Sequence, residues 1–195
     1  MHPSPRSSIS IEPNEIGPND IVSFWFDQTT PKQWFSKSDA FDQLIAERFG
    51  AVLAAALDGQ VSNWARHADG CLALILVLDQ FTRHIYRDSP GAFVGDDHAL
   101  RLSEQAIGNR WVGNCPLVSH RQFFLMPMMH SEDVDVQRAS LPLFETHTDS
   151  DTLWFAKRHC AIIERFGRFP HRNAALGRVS TIDEIEFLKQ PGSAF

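Results

Sequence analysis

The chain has 195 residues, 43% hydrophobic and 22% charged, enough for one sizeable core and too few for two full domains. A formal net charge of -6 disfavours a nucleic-acid partner. The longest apolar run, Cys71 to Leu78, falls far short of the roughly 20 residues needed to cross a bilayer, so no membrane span is expected either.

Fifteen Phe and five Trp against one Tyr place aromatic mass in packing rather than in a wet recognition surface. Cys71, Cys115 and Cys160 are odd in number and lack metal-type spacing. They suit reduced thiols, and the expected compartment is the cytoplasm.

Residues 1 to 18 are rich in Ser, Pro and Asn without periodicity and read as a disordered or draped tail. A single helical domain is expected over 19 to 195. Asp20 is placed to cap a short helix holding Ile21, Val22, Phe24, Trp25 and Phe26, and Pro31 restarts the chain before Trp34 and Phe35. From Ser38 to Leu57, Phe41, Leu44, Ile45, Phe49, Val52, Leu53 and Ala56 recur at helical spacing, and Gly59 follows as a stop. Gly70 then opens an element from Cys71 to about Tyr86 that is apolar all round at first. A buried strand is the rival reading, and the length of the run favours a central helix.

Asp96 reads as the cap of a helix ending at Ile107, before Gly108. Ser119 to Gln122 fits a capping box for a helix holding Phe123 to Met128, with a kink or break expected at Pro127. Further helices are expected from about Glu132 to Glu145, from Asp151 to Phe166, and from a capping box at Thr181 to Glu184 on to Lys189. Strand signals are absent. Helices of this length joined by short connections predict an all-α, antiparallel helical array.

Three groups of residues carry chemistry. Asp79, Arg83 and Arg87 follow one another at steps of four, a carboxylate ahead of two guanidiniums. This suits either Arg forks facing a cleft or a salt-bridged face. His130, Ser131 and Glu132 form a junction just after Pro127, where an imidazole beside a carboxylate suits acid/base work or simple capping. Finally, Lys157, Arg158, Arg165, Arg168, Arg172 and Arg178 stand against Glu164 alone, a positive island in an acidic chain. Phe166, Gly167, Phe169 and Pro170 set a loop there from which Arg168, His171 and Arg172 project. The island's counter-charge is either a bound anion or the acidic stretch from Glu132 to Asp151. No metal-type histidine spacing, glycine-rich phosphate loop or Gly-x-Ser-x-Gly elbow occurs, so no metal is expected and no cofactor is identified.

These blocks resemble the bacterial family called domain of unknown function 924: Phe24-Trp25-Phe26, Trp34-Phe35, Leu78-Asp79-Gln80-Phe81 with Arg83, Ile85-Tyr86-Arg87, Ala92-Phe93, Met129-His130-Ser131-Glu132, and His159 through Thr181. The likeness covers about residues 20 to 195. It implies a tetratricopeptide-like helical fold with a groove lined by paired helices. Thr82 and His84 stand where the family tends to have Pro and Asn.

The function expected from these residues is binding of a small anionic molecule or peptide end. Asp79, Arg83, Arg87, Arg165, Arg168, Arg172 and Asn173 would form the grip, and His130, Glu132 and His171 would be available for proton transfer. Two alternatives stand beside it: an enzyme using His130 or His171 as general base, and a tetratricopeptide-like adaptor. The oligomeric state is left open, a homo-oligomer included.

Overall fold

The computed structural model describes residues 16–193, so the tail expected over residues 1 to 18 lies, up to residue 15, outside the described residues. The first helix, α1 (Pro18–Asp27), is capped by Gly17, and Asp20 sits in the third helical position with its carboxylate accepting the Gly17 N–H at 2.8 Å. Asp20 therefore closes the cap from inside the helix instead of being the cap. Gln33 likewise accepts the Thr30 N–H at 3.0 Å to close the start of α2 (Pro31–Phe35), and Ser38 caps α3 (Asp39–Leu57) by accepting the Phe41 N–H.

The apolar run after residue 70 forms a rod rather than a strand. It comprises α4 (Ala68–Ile75), a π-helical stretch (Leu76–Phe81) and α5 (Thr82–Ile85). Gly70, expected to open this helix, lies inside it, and a side chain there would collide with the Trp64 carbonyl. Residues 71 to 82 are all buried. A π turn admits one extra residue per turn, so it rotates the residues that follow relative to an α-helix.

Around the rod stand α6 (Asp96–Gly108), α7 (Trp111–Asn114), α8 (Val118–His130), α9 (Val134–His147), α10 (Ser150–Phe166) and α11 (Ile182–Leu188). The α9 helix packs along both α8 and α10, and α6 packs on α8 and α4. Among the described residues every regular element is helical, the all-α single domain that the spacing predicts.

The core runs from Trp25 and Phe49 through Phe81 to Phe123, Phe124 and Phe144, each essentially inaccessible. Truncating any one of these rings to Ala costs about 3–5 kcal/mol. Trp34 stacks on Trp25 at 5.9 Å and donates its indole N–H to the Trp25 carbonyl. No described helix is long and apolar enough to cross a membrane.

Two further expectations are corrected. The capping box at Ser119 does not form, because α8 begins at Val118 and no side chain caps it. Pro127 does not break α8, which runs on to His130; burial of every residue from Phe123 to Met129 holds the turn that Pro127 weakens. The box at Thr181 does form, with the Glu184 carboxylate accepting the Thr181 N–H at 2.7 Å.

Candidate functional site

The π-helical stretch carries Asp79 into the interior, where it is 0% exposed. The last residue of α8 meets it there. His130 Nδ1 lies 2.7 Å from Asp79 Oδ1, and Arg83 Nη1 reaches the same oxygen at 3.1 Å. Gln80 Nε2 donates to the other carboxylate oxygen. Burial alone would raise the Asp79 carboxyl, but Arg83 and His130 outweigh it and hold it well below the usual carboxylate range. An ionised carboxylate accepts only, so the shared proton sits on His130 Nδ1. Burial, with the nearby guanidiniums, depresses the His130 imidazolium against the pull of Asp79. The ring is therefore neutral, and its Nε2 carries the basic lone pair.

The second layer comes from α6. Gly95 lies so close to the Leu78 carbonyl that any side chain there would overlap it, and this contact brings Asp96 against the rod. Asp96 accepts from Arg83 through both oxygens, at 2.8 and 3.1 Å, and from Arg172 Nη1 at 3.1 Å. Arg172 is only 6% exposed. Its Nη2 donates to the His130 carbonyl at 2.9 Å, and its guanidinium lies over the Phe93 and Phe169 rings at 4.7 and 4.6 Å. Burial and the proximity of Arg83 lower it to about 10.

Two more imidazoles border this group. His159 donates Nδ1–H to the Phe155 carbonyl at 2.8 Å, and its ring centroid lies 6.2 Å from that of His130. Burial above all, with the neighbouring His130 disfavouring a second protonated ring, pushes it down to about 3. His171 is lowered to about 4 by burial and by Arg172. Among the described residues, no three His, Cys, Asp or Glu are placed to hold a metal.

A cleft of about 200 Å³ opens over the group, walled by Phe93, Asp96, Pro127, His130, Glu132 and Arg172. Glu132 is itself fixed. It takes a forked pair of bonds from Arg178 at 2.7 and 2.9 Å and accepts the Phe169 N–H at 2.8 Å. Burial would raise its carboxyl, but Arg178 and that N–H bring it below the usual range.

Of the residues singled out in the sequence, Asp79, Arg83, His130, Glu132 and Arg172 come together, with His171 beside Arg172. The others do not join them. Arg87 grips Asp42 at 2.6 and 2.7 Å. Arg168 forks onto Glu184 at 2.7 and 2.8 Å. Arg165 lies over the face of the half-buried Phe166 ring, and Asn173 donates to Ser180. Only two of the five arginines expected to form the grip, Arg83 and Arg172, thus share this site.

The island's counter-charges are Asp96, Glu132 and Glu184. From the acidic stretch 132 to 151, Glu132 alone answers the island's loop, while Asp133 and Asp149 cap helices. Sequence reasoning took Asp96 for a cap, gave Phe93 no role and weighed His159 only as a weak metal ligand beside His130, Glu132 and His171. The glycine ahead of Asp96 was the available signal, since a forced close approach fixes where α6 begins.

The profile of a family described as "Bacterial protein of unknown function (DUF924)" matches residues 21–192. Among solved structures, one of a protein of unknown function from Agrobacterium tumefaciens superposes with a TM-score of 0.83 at 35% identity, covering 88% of this chain and 96% of that one. No match was found among curated proteins.

Proposed function

The chain belongs to this bacterial family of unknown function, DUF924, and from its cleft we propose that it is an enzyme in which His130 acts as general base on a small substrate. The carrying observation is the buried Asp79–His130 pair at 2.7 Å opening on a cleft of about 200 Å³. Asp79 fixes the tautomer and the plane of the imidazole, as a base needs if its far nitrogen is to take a proton. The depressed imidazolium keeps that nitrogen unprotonated at neutral pH.

Ser131, the hydroxyl nearest in sequence, is engaged with the Asp133 N–H, so the reading assigns no protein nucleophile. His130 would instead draw a proton from water or from the substrate. An adaptor has less support, because the cleft is small and charge-lined where a partner helix would need a long apolar groove.

The test pairs reactivity with turnover. Diethyl pyrocarbonate should acylate His130 at pH 6 faster than free N-acetylhistidine, since the neutral ring is the reactive form. His130→Gln should lower turnover on whichever small ester, amide or phosphoester the parent hydrolyses by roughly 10²–10⁴. Slow acylation, or turnover unchanged by His130→Gln, would remove the base.

A further inference from the structure

Arg83 and Arg172 are guanidiniums from different elements that share one carboxylate, Asp96. Each is also held by groups independent of Asp96. Arg83 Nη1 donates to the Asp79 carbonyl at 2.6 Å, and Arg172 Nη2 to the His130 carbonyl at 2.9 Å. The Phe93 ring lies beneath both, 5.7 and 4.7 Å from their central carbons, and Phe169 carries Arg172 as well. The two forks therefore keep their places whichever carboxylate stands between them.

Asp96 is reachable from the cleft. Its side chain is 20% exposed against 7% for Arg172, and it enters from the cleft wall at the first turn of α6. Arg172 also keeps its Nε–H buried without an acceptor, a donor that Asp96 does not satisfy.

We propose that Asp96 is the internal occupant of an anion subsite, and that the substrate of the His130 cleft carries a carboxylate or phosphate group that replaces it on Arg83 and Arg172. Naming this as the substrate's group rests on the general-base reading; the anion subsite does not. Exchanging Asp96 for another carboxylate leaves the charge balance of the buried group unchanged, and a phosphate adds up to about one further negative charge beside two guanidiniums, so neither ligand leaves an unpaired ion. Guanidinium forks match the oxygen spacing of both anions. The sequence points to an anion at Arg83, Arg87, Arg165, Arg168 and Arg172 together, whereas the geometry leaves a subsite at two of them.

The experiment titrates phosphate and, separately, acetate into the full chain by calorimetry and thermal shift at constant ionic strength, with chloride as control. Asp96→Asn removes the internal anion and keeps its shape. It should bind at least one of the two probes ten times or more tightly than the parent, and Arg172→Met in that background should abolish the gain. The two arms show which oxyanion the subsite takes. Equal binding by parent and variant, or a gain that survives Arg172→Met, overturns the proposal.

If Asp96→Asn fails to fold in chloride, recovery of its circular dichroism by phosphate or acetate supports the subsite, and no recovery overturns it. A gain of anion binding without His130-dependent turnover strikes only the general-base reading. Turnover on uncharged substrates without any anion gain strikes only the subsite.

Discussion

Among the described residues, two Asp–His pairs are built from the same atoms. Asp79 and His130 meet through Oδ1 and Nδ1 at 2.7 Å, and so do Asp42 of α3 and His84 of the rod. An arginine grips the carboxylate in each, Arg83 in one and Arg87 in the other. They differ in what surrounds the ring. His84 is enclosed by Trp25 and Phe41, at 5.9 and 5.2 Å, and has a hydrogen bond with the Trp34 backbone. His130 lines a cleft. The pair alone is an architectural device, and only the opening beside it gives the imidazole something to act on.

The largest effect that separates the two is stability. Removing the buried carboxylate with Asp79→Ala leaves His130 Nδ1–H without its acceptor and Arg83 with Asp96 as its one counter-charge, and should cost about 3–5 kcal/mol in urea unfolding. Asp42 is 14% exposed and Arg87 27%, so water reaches the second pair, and Asp42→Ala should cost less, about 1–3 kcal/mol. Equal losses would mean that Asp79 is no more committed to its partners than Asp42.

Acid comes next. His159 and His171 bind protons in the unfolded chain from about pH 6.5 downward, but in the folded protein only near 3 and 4. The unfolded state therefore takes up protons first, and stability falls as the pH drops through 6.5 towards 4. By pH 5 the loss should be about 2 kcal/mol for each of the two histidines. His159→Leu should flatten this slope, read from urea midpoints at pH 7 and 5. Asp79 and Asp42 are depressed carboxylates, whose contribution is present above the unfolded value near 3.8 and is lost only below it. A steep loss confined to pH below 4 would assign acid sensitivity to the carboxylates instead.

A third contrast separates positioning from support. Asp79→Asn keeps the size of the side chain but offers His130 a weaker acceptor. The nitrogen-15 shifts of His130 should then show a mixture of tautomers in place of Nδ1–H, and its depressed titration should move further down once the carboxylate is gone. A purely structural Asp79 would leave the tautomer where it was while lowering stability.

How much of this was legible depends on the range of the contact. The α3 helix follows from the spacing of Phe41, Ile45, Phe49, Val52 and Leu53, and the cap at Thr181 from four consecutive residues. The Asp79–Arg83 step was legible for the same reason, since both lie on one turn. Arg87 was placed on the same stripe wrongly. Eight residues of α-helix leave it about 80° around the axis from Asp79, and the helix ends at Ile85 in any case. The π-helical stretch left no mark, because a run apolar on every face has no period for an extra residue to disturb. Asp42 with His84 and Asp96 with Arg172 are separated by 42 and 76 positions, and no local pattern couples them.

The smallest expected effect lies within the basic stretch itself and tests whether its charges act as a group. If they did, removing any one would relieve the others. Arg165 is exposed, lies 4.5 Å over the Phe166 ring and makes no ion pair among the described residues. An exposed cation over a ring contributes about 0.5–1 kcal/mol, so Arg165→Ala should lower stability by less than about 1 kcal/mol. Arg172→Met, which strips a buried ion pair from Asp96, should cost several times more. A gain in stability on losing Arg165 would show that the island still repels itself in spite of Asp96, Glu132 and Glu184. A small loss that persists when salt is raised would mean that each guanidinium is held by its own partner, and that positive charge crowded in sequence is dispersed in space.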